Sequence, residues 1–310
     1  MNRRMLALIF RRLTTAIPTL LGIILASFFL MRLAPGGPFD GERPLPPETR
    51  EALQAAYGLD KPLWEQAWIY VSRLVHGDFG PSLVYRDFTV SELVAQGLPI
   101  SLMLGGLAIV LALAIGVSAG LFAAVRAGKA ADKIIMMAAT VATALPTFVT
   151  GPALALLLGL WLGLLPVSGK GDGVLWLVMP VFALALPVSG AIAKLTRAGL
   201  ATVLKQDHIR TAIARGLPET KILFKHGLRP ALVPVASYLG PAAAGLLTGA
   251  VVVETVFGLP GLGRYFVQGA LNRDYPLVLG VVTLYASLII LFNLFADLIY
   301  GWLDPRMRDG

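Results

Sequence analysis

The residues best suited to transmit force or bind a partner lie in one charged segment, 194–229, which holds eight basic and two acidic side chains. Asp207 is a residue type that caps helix N-termini, and it precedes a helical pattern at 208–215. Gly216 can end that helix in the left-handed conformation. The tripeptide 217–219 then has proline at the first position of a second helix and an acid in its first turn.

The first of these helices has an apolar face. Ile209, Ala212 and Ile213 share that face, and Arg210 and Arg215 flank it. Because eight residues are too few for a helix to be stable alone in water, we expect this helix to dock, either on its own bundle or on a partner protein. The alternative is a basic loop that only sets membrane orientation, with the helix lying among lipid headgroups.

Other chemistry finds few residues to support it. The chain has no cysteine, which excludes disulfides, thiolate metal sites and a cysteine nucleophile, and its three histidines are scattered at positions 76, 208 and 226. The phosphate-loop pattern G-x-x-x-x-G-K-[ST] is absent from the sequence. We therefore expect a chain that is not an enzyme and does not hydrolyse ATP, so any ATP-driven work must arrive from another protein.

The elements that position the charged segment are predicted to be membrane-spanning helices. Hydrophobic residues make up 56% of the 310 residues and charged residues only 14%, against roughly a quarter in ordinary soluble domains. Mean hydropathy is +0.75. Six stretches without a charge reach the roughly 20 residues that cross the hydrocarbon as a helix. The sequence predicts an all-α integral membrane protein with six transmembrane helices at 13–31, 98–125, 134–165, 174–193, 230–253 and 275–296. The last five form a single transmembrane domain over about 93–300.

Two features of these stretches bear on function. The third uncharged stretch, 134–169, is long enough for two short spans, but the turn residues near its end favour one tilted or kinked helix. The uncharged stretches by definition hold no ionisable side chain, whereas proton- or ion-coupled carriers usually place one at mid-membrane. A secondary carrier stays open as an alternative, since Asn or Ser could serve sodium. A structural membrane anchor is a further alternative.

Charge between the spans predicts the orientation of the chain. Net charge is +4 at 1–12, +2 at 126–133, +6 at 194–229 and −1 at 297–310, whereas 32–92 carries −3 and the two remaining loops balance to zero. Positive loops face the cytoplasm, so both termini are expected inside. The first span is too long for a cleaved signal peptide and is expected to stay as an anchor.

The segments 32–97 and 254–274 are then expected to be periplasmic. The longer of them reads as a short helix at 48–57 that ends at Gly58, followed by an amphipathic helix at 64–75. Four apolar residues of the second helix share one face, which suits either helix packing or an interfacial aromatic belt: Trp64, Trp68, Val71 and Val75.

The charged segment also resembles a known loop. Its central run resembles the EAA-type loop of ABC importer permeases: Ile209-Arg210-Thr211-Ala212-Ile213-Ala214-Arg215-Gly216-Leu217-Pro218. Ala212 and Gly216 match that pattern, while Arg210 replaces its glutamate. The Arg-Thr-Ala opening, in which Thr211 takes the second position, resembles the peptide-type branch.

Further motifs extend the resemblance over nearly the whole chain, to B-type permease subunits of oligopeptide ABC importers. They lie at 27–36 (SFFLMRLAPG), 41–48 (GERPLPPE), 76–82 (HGDFGPS), 258–263 (GLPGLG) and 270–275 (ALNRDY). Dipeptide and nickel permeases are neighbours within the family, and the motifs at 43–48 and 270–275 favour oligopeptides.

The resemblance implies a fold, partners and a location. It implies a type I ABC importer permease fold in a bacterial cytoplasmic membrane, and a coupling loop at 207–218 that docks on ATPase subunits. The implied partners are a second homologous permease, two cytoplasmic ATPase subunits, an extracytoplasmic peptide-binding protein and membrane lipid, with an oligopeptide as substrate and no nucleic acid. ATP and magnesium would be bound by the ATPase subunits, which leaves no cofactor in this chain.

Overall fold

The structure is a computed structural model that describes residues 3–33, 37–38, 46–85, 87–169, 171 and 173–303. Most of the 41–48 motif, part of the 27–36 motif, and the tail from 304 onward lie outside the described residues. The helices in chain order are α1 Arg3–Leu33, α2 Pro47–Ala56, α3 Leu63–Val75, α4 Val90–Val125, α5 Ala130–Ala144, α6 Thr147–Leu154, α7 Leu175–Val203, α8 Asp207–Ala214, α9 Glu219–Lys221, α10 Arg229–Ala231, α11 Val233–Val256, α12 Leu262–Leu271 and α13 Tyr275–Leu303.

The all-α architecture is confirmed. Within the described residues the extended structure is an isolated bridge between Pro81 and Thr89. Five helical segments are long and apolar enough to cross a membrane: Arg12–Leu33, Val90–Val125, Leu175–Val203, Val233–Val256 and Tyr275–Leu298. A sixth span exists if α5 and the helix that follows it are counted as one broken span.

That sixth span is broken at a proline. α5 and the helical segment Thr147–Trp161 meet at an angle of 101°. Leu145 has φ −77° and ψ 116°, outside the helical region, because the ring of Pro146 disfavours helical backbone at the residue before it. A π-helical turn, Ala155–Trp161, then continues α6. The structure therefore has a sharp corner where the sequence favoured one tilted or kinked helix.

The helices extend beyond the uncharged stretches and so contain ionisable residues. Glu254 directly follows the uncharged stretch 230–253, yet it lies inside α11 and is completely buried. Lys194 and Arg197 likewise follow an uncharged stretch and belong to α7. Backbone hydrogen bonding in these helices does not stop at the first charged side chain, so the charge-free stretches underestimate helix length.

The described chain forms two compact units. One comprises Met1–Ser101 and Pro260–Leu288, and the other comprises Leu102–Leu259 and Ile289–Gly310. In the second unit α7 is central, since it contacts α5, α6, α10 and α11.

Two glycines of α4 allow it to cross α7 closely. A Cβ added at Gly116 would lie 2.7 Å from the side chain of Ile192, and one added at Gly120 would lie 2.5 Å from the carbonyl oxygen of Ala193. Both distances are shorter than a van der Waals contact. Small residues at this i, i+4 spacing let the two backbones approach, as in many membrane helix pairs.

In the first unit, a buried carboxylate joins two of the motifs noted in the sequence. Asp274 is completely buried, and its carboxylate accepts hydrogen bonds from the Ser82 hydroxyl at 2.5 Å and from the backbone N–H groups of Leu83, Val84 and Leu277, each at 3.2 Å. The loop after α3 is thereby fixed to the start of α13.

The two helices expected within the segment 32–97 are present. α2 is followed by Gly58, whose φ is +65°, and α3 covers Leu63–Val75. Trp64 and Trp68 are each 70% exposed and Val75 is 80% exposed, whereas Gln66, on the opposite face, is buried. The apolar face that the sequence identified on α3 is thus directed away from the rest of the chain.

The α4–α7 crossing gives a first prediction. Replacing Gly120 by Ala places a methyl group against the α7 backbone, so we expect a loss of roughly 1–3 kcal/mol of stability. Gly106→Ala, on the same helix, is the control, because a Cβ there meets nothing within 4 Å. Thermal unfolding of the two variants in detergent measures the difference. Equal melting temperatures would contradict the close crossing.

Candidate coupling site

The C-terminal end of α8 is fixed by glycine, as the sequence predicted. Gly216 has φ +69°, in the left-handed region. Its N–H donates to the carbonyl of Ile213 at 2.9 Å, and the N–H of Leu217 donates to the carbonyl of Ala212 at 3.2 Å. These two bonds form a complete Schellman motif, which satisfies helix-end carbonyls and turns the chain sharply.

The N-terminal end differs from the prediction. Gln206 occupies the capping position and makes no side-chain cap, while Asp207 is the first helical residue. The expectation that Asp207 caps the helix is wrong: its Oδ1 instead accepts from Arg210 Nη1 at 3.4 Å. Both side chains are well exposed, at 95% and 74%, so this pair contributes little to stability. One position inside the helix, the carboxylate still interacts favourably with the helix dipole.

The second helix also begins one residue later than expected. Pro218 stands at the position before the first helical residue, Glu219, and its carbonyl accepts from the N–H of Ile222 at 3.0 Å. α9 continues into a π-helical segment, Ile222–Leu228.

α8 docks on its own unit through part of the predicted apolar face. Ile209 is 1% exposed and Ala212 is 6% exposed, and both belong to an apolar cluster with Leu200 and Val203 of α7. Ile213 is 60% exposed. Positions three and four residues apart share a helix face, so periodicity places both Ala212 and Ile213 beside Ile209. At about 100° per residue the two lie on opposite sides of Ile209, and the cluster covers only the side of Ala212.

The same cluster attaches α8 to the ends of several other helices. Its further buried members are Ala124 from the end of α4, Ile222 from the π-helical segment and Ala231 of α10, and Leu217 packs against it. The apolar cluster therefore connects α8 to the ends of α4, α7 and α10.

The outer surface of α8 and the segment after it is cationic and partly apolar. Its exposed cations are Arg210, Arg215, Lys221 and Lys225, and Thr211 is exposed among them. Two apolar side chains are exposed among these cations: Ile213 is 60% exposed and Phe224 is 57% exposed. This short surface therefore offers a partner both basic and apolar contacts. Sequence reasoning missed Phe224, because a single phenylalanine in a helical pattern reads as core.

An ion pair with a buried carboxylate and a partly exposed guanidinium was also missed near this site. Arg197 of α7 donates from Nη2 to Asp132 Oδ2 at 2.7 Å and from Nε to Oδ1 at 3.1 Å, and the N–H of Gly128 donates to the same carboxylate at 2.9 Å. Asp132 is 3% exposed. This bidentate bond fixes the start of α5 to α7, close in sequence to Leu200 and Val203, on which α8 rests.

The geometry suits mechanical transmission. α8 is fixed by an apolar inner face, it ends in a rigid turn, and it presents a cationic outer surface. In the part of the chain that the structure describes, no group of three or more His, Cys, Asp or Glu side chains is placed to hold a metal.

Fold and site together define a polytopic membrane protein with a docked helix on one connecting segment. The family model described as "Binding-protein-dependent transport system inner membrane component" matches residues 116–309. The chain belongs to this family of transport-system membrane components.

Full-length relatives agree with the family match. The oligopeptide transport system permease protein OppB of Salmonella typhimurium is 48% identical, and that of Haemophilus influenzae is 46% identical; each match covers 98% of this chain and 100% of the relative. The dipeptide transport system permease protein DppB of Lactococcus lactis is 37% identical over the same shares of the two chains.

The docking of α8 gives a second prediction. Ile209→Ala removes a buried side chain from the cluster, and we expect a cost of about 2–4 kcal/mol, concentrated at the contact between α8 and α7. Ile213→Ala is the matched control, since the same atoms are removed from an exposed position on the same helix. Hydrogen exchange of residues 204–218 measures the effect. Similar exchange in both variants would show that α8 does not depend on its inner face.

Proposed function

We propose that this chain is the transmembrane permease subunit of an ATP-driven ABC importer that moves oligopeptides across the cytoplasmic membrane into the cell. The observation that carries the proposal is α8, whose inner face is packed on the ends of the spans while its cationic outer surface is open to a partner. The greater similarity to oligopeptide permeases than to a dipeptide permease supports the substrate class.

The chain supplies the path and the lever rather than the chemistry. A second homologous permease would complete the path, and an extracytoplasmic binding protein would deliver the peptide. Two cytoplasmic ATPase subunits would bind ATP and magnesium and hold the outer surface of α8. Closure of those subunits would displace α8, and the apolar cluster would pass that displacement to α4, α7 and α10.

The coupling role gives a third prediction, measured on the whole transporter reconstituted in liposomes. Gly216→Val strains the turn after α8 by about 1 kcal/mol or more, because a β-branched residue is disfavoured at positive φ. We expect ATP hydrolysis that no longer drives peptide uptake, or failure of the ATPases to assemble, with membrane insertion intact.

Gly77→Val is the matched control for this variant. Gly77 has φ +75° and ends α3 with the same pair of backbone hydrogen bonds as Gly216, and a Cβ at either glycine meets nothing within 4 Å. Normal peptide uptake by Gly216→Val would contradict the coupling role.

A secondary carrier would give a different result. Uptake by this chain without ATPases, driven by a proton or sodium gradient, would replace the importer proposal with the secondary carrier. The buried Glu254 is then the residue to test.

The orientation gives a fourth prediction. We propose that both termini and the segment 194–229 are cytoplasmic. The positive charge is concentrated at 1–12, 126–133 and 194–229, and an even number of spans returns the C-terminal tail to the same side. Single cysteines, introduced into a chain that has none, are expected to react with an impermeant maleimide in intact spheroplasts at position 60 or 78 and to be protected at 129 or 210. The reverse pattern would contradict this orientation.

A further inference from the structure

The first unit contains a cavity of about 390 Å³ that the transport mechanism does not use. It is lined by the last turns of α1, the connection between α2 and α3, the inner face of α3, the loop after α3 and the start of α13. All of these segments belong to the same compact unit.

The floor of the cavity is apolar. Phe28 and Tyr70 contribute rings that stack with centroids 6.3 Å apart, and Ile69 and Leu279 supply aliphatic surface. Burial raises the pKa of the Tyr70 hydroxyl to about 12, so this side chain stays neutral at physiological pH. A ligand with hydrocarbon next to its polar group would match this floor.

The rest of the lining carries positive charge. Arg32, Lys61 and Arg73 all line the cavity, and among the described residues no Asp or Glu lines it. Lys61 is already paired with Glu65 at 2.8 Å. The Arg32 guanidinium lies 5.2 Å from the centroid of the Phe28 ring, and its Nε is a buried donor without a hydrogen-bond partner. The charge of the lining therefore favours an anion.

One neutral group adds a preference for hydroxyl donors. Gln66 is 8% exposed, and its Nε2 donates to the carbonyls of Leu59 at 3.1 Å and Lys61 at 2.7 Å. These two bonds fix the amide, and its Oε1 is buried without a partner. A buried acceptor of this kind is satisfied by a ligand that donates a hydrogen bond, such as a hydroxyl group.

The depth of the cavity matches lipid headgroups. Arg32 lies in the last turn of the span Arg12–Leu33, at the end of the hydrocarbon region. α3 exposes Trp64 and Trp68 on the face opposite Gln66, and tryptophan is enriched at the membrane–water interface. The cavity thus lies where a phosphate group of the bilayer would be.

We propose that this cavity binds the headgroup of an anionic phospholipid with a free hydroxyl, with phosphatidylglycerol as the probe. The guanidinium groups of Arg32 and Arg73 hold the phosphate, Gln66 Oε1 accepts from a headgroup hydroxyl, and the acyl chain follows the apolar floor. The bound lipid would fix α3 to the end of α1. The site is independent of the proposed transport function.

The test measures retained lipid by native mass spectrometry of the full chain, taken from nanodiscs with equal amounts of phosphatidylglycerol and phosphatidylethanolamine. We expect the unaltered chain to retain phosphatidylglycerol at least about tenfold over phosphatidylethanolamine, and R32Q/R73Q to lose that preference. K129Q/K133Q is the control, because it removes two exposed cations outside the cavity and so has the same net charge as R32Q/R73Q. Equal preference in the two double variants would overturn the proposal.

Two further arms keep the proposal falsifiable. Ile69→Trp fills the cavity and leaves the cations in place, so it should also abolish the preference for phosphatidylglycerol. This variant tests the site even if R32Q/R73Q does not fold. An unchanged preference in Ile69→Trp would overturn the proposal. Free glycerol phosphate at millimolar concentration separates a lipid from a soluble anion. We expect it to leave lipid retention unchanged, and displacement of the lipid by it would show that the cavity takes free phosphate compounds instead.

Discussion

Hydrocarbon offers no hydrogen-bond partner to a peptide backbone, and this constraint governs the architecture of the chain. Each span must satisfy its own N–H and C=O groups, so the described membrane segments are helices. Prolines lie within α1, α4, α6, α7 and α11 without ending them. Among the described residues, one pair of span-forming helices is sharply bent, at Leu145–Pro146, where the two helices meet at 101°.

Lipid tails are as apolar as the side chains of the spans, so membrane helices associate through close packing and not through the exclusion of water. Neighbouring helices approach α7 closely at glycines on several sides. Gly116 and Gly120 of α4 pack against it. Within α7, a Cβ added at Gly190 would collide with the carbonyl oxygen of Ala139, and one added at Gly199 with that of Ala231. The helix that is most enclosed is also the one on which α8 rests. The apolar cluster thus joins α8 to the most enclosed helix of the second unit.

Apolar and polar attachments complement each other at this site. The cluster around Ile209 holds α8 by contact alone, and contact is weakened by any change of side-chain volume. The bond between Arg197 and Asp132 is directional, because two parallel hydrogen bonds fix the orientation of the guanidinium. In the first unit Asp274 has a similar directional role, as its carboxylate accepts from three donors of the loop after α3 and from the N–H of Leu277 in α13.

The sequence by itself determined the features that depend on neighbouring residues. Length and apolarity predicted the spans, though not the 101° break in the third, because hydrocarbon thickness sets the apolar length that a span needs. Gly216 predicted the left-handed end of α8, because local backbone sterics decide it. Tertiary structure decided whatever depends on distant residues. Asp132 and Arg197 are 65 positions apart, and Ser82 and Asp274 are 192 apart, so no local pattern joins them. It also decided that Ile209 is buried while Ile213 is exposed: periodicity places both near one face, but only the position of α7 selects which one it covers.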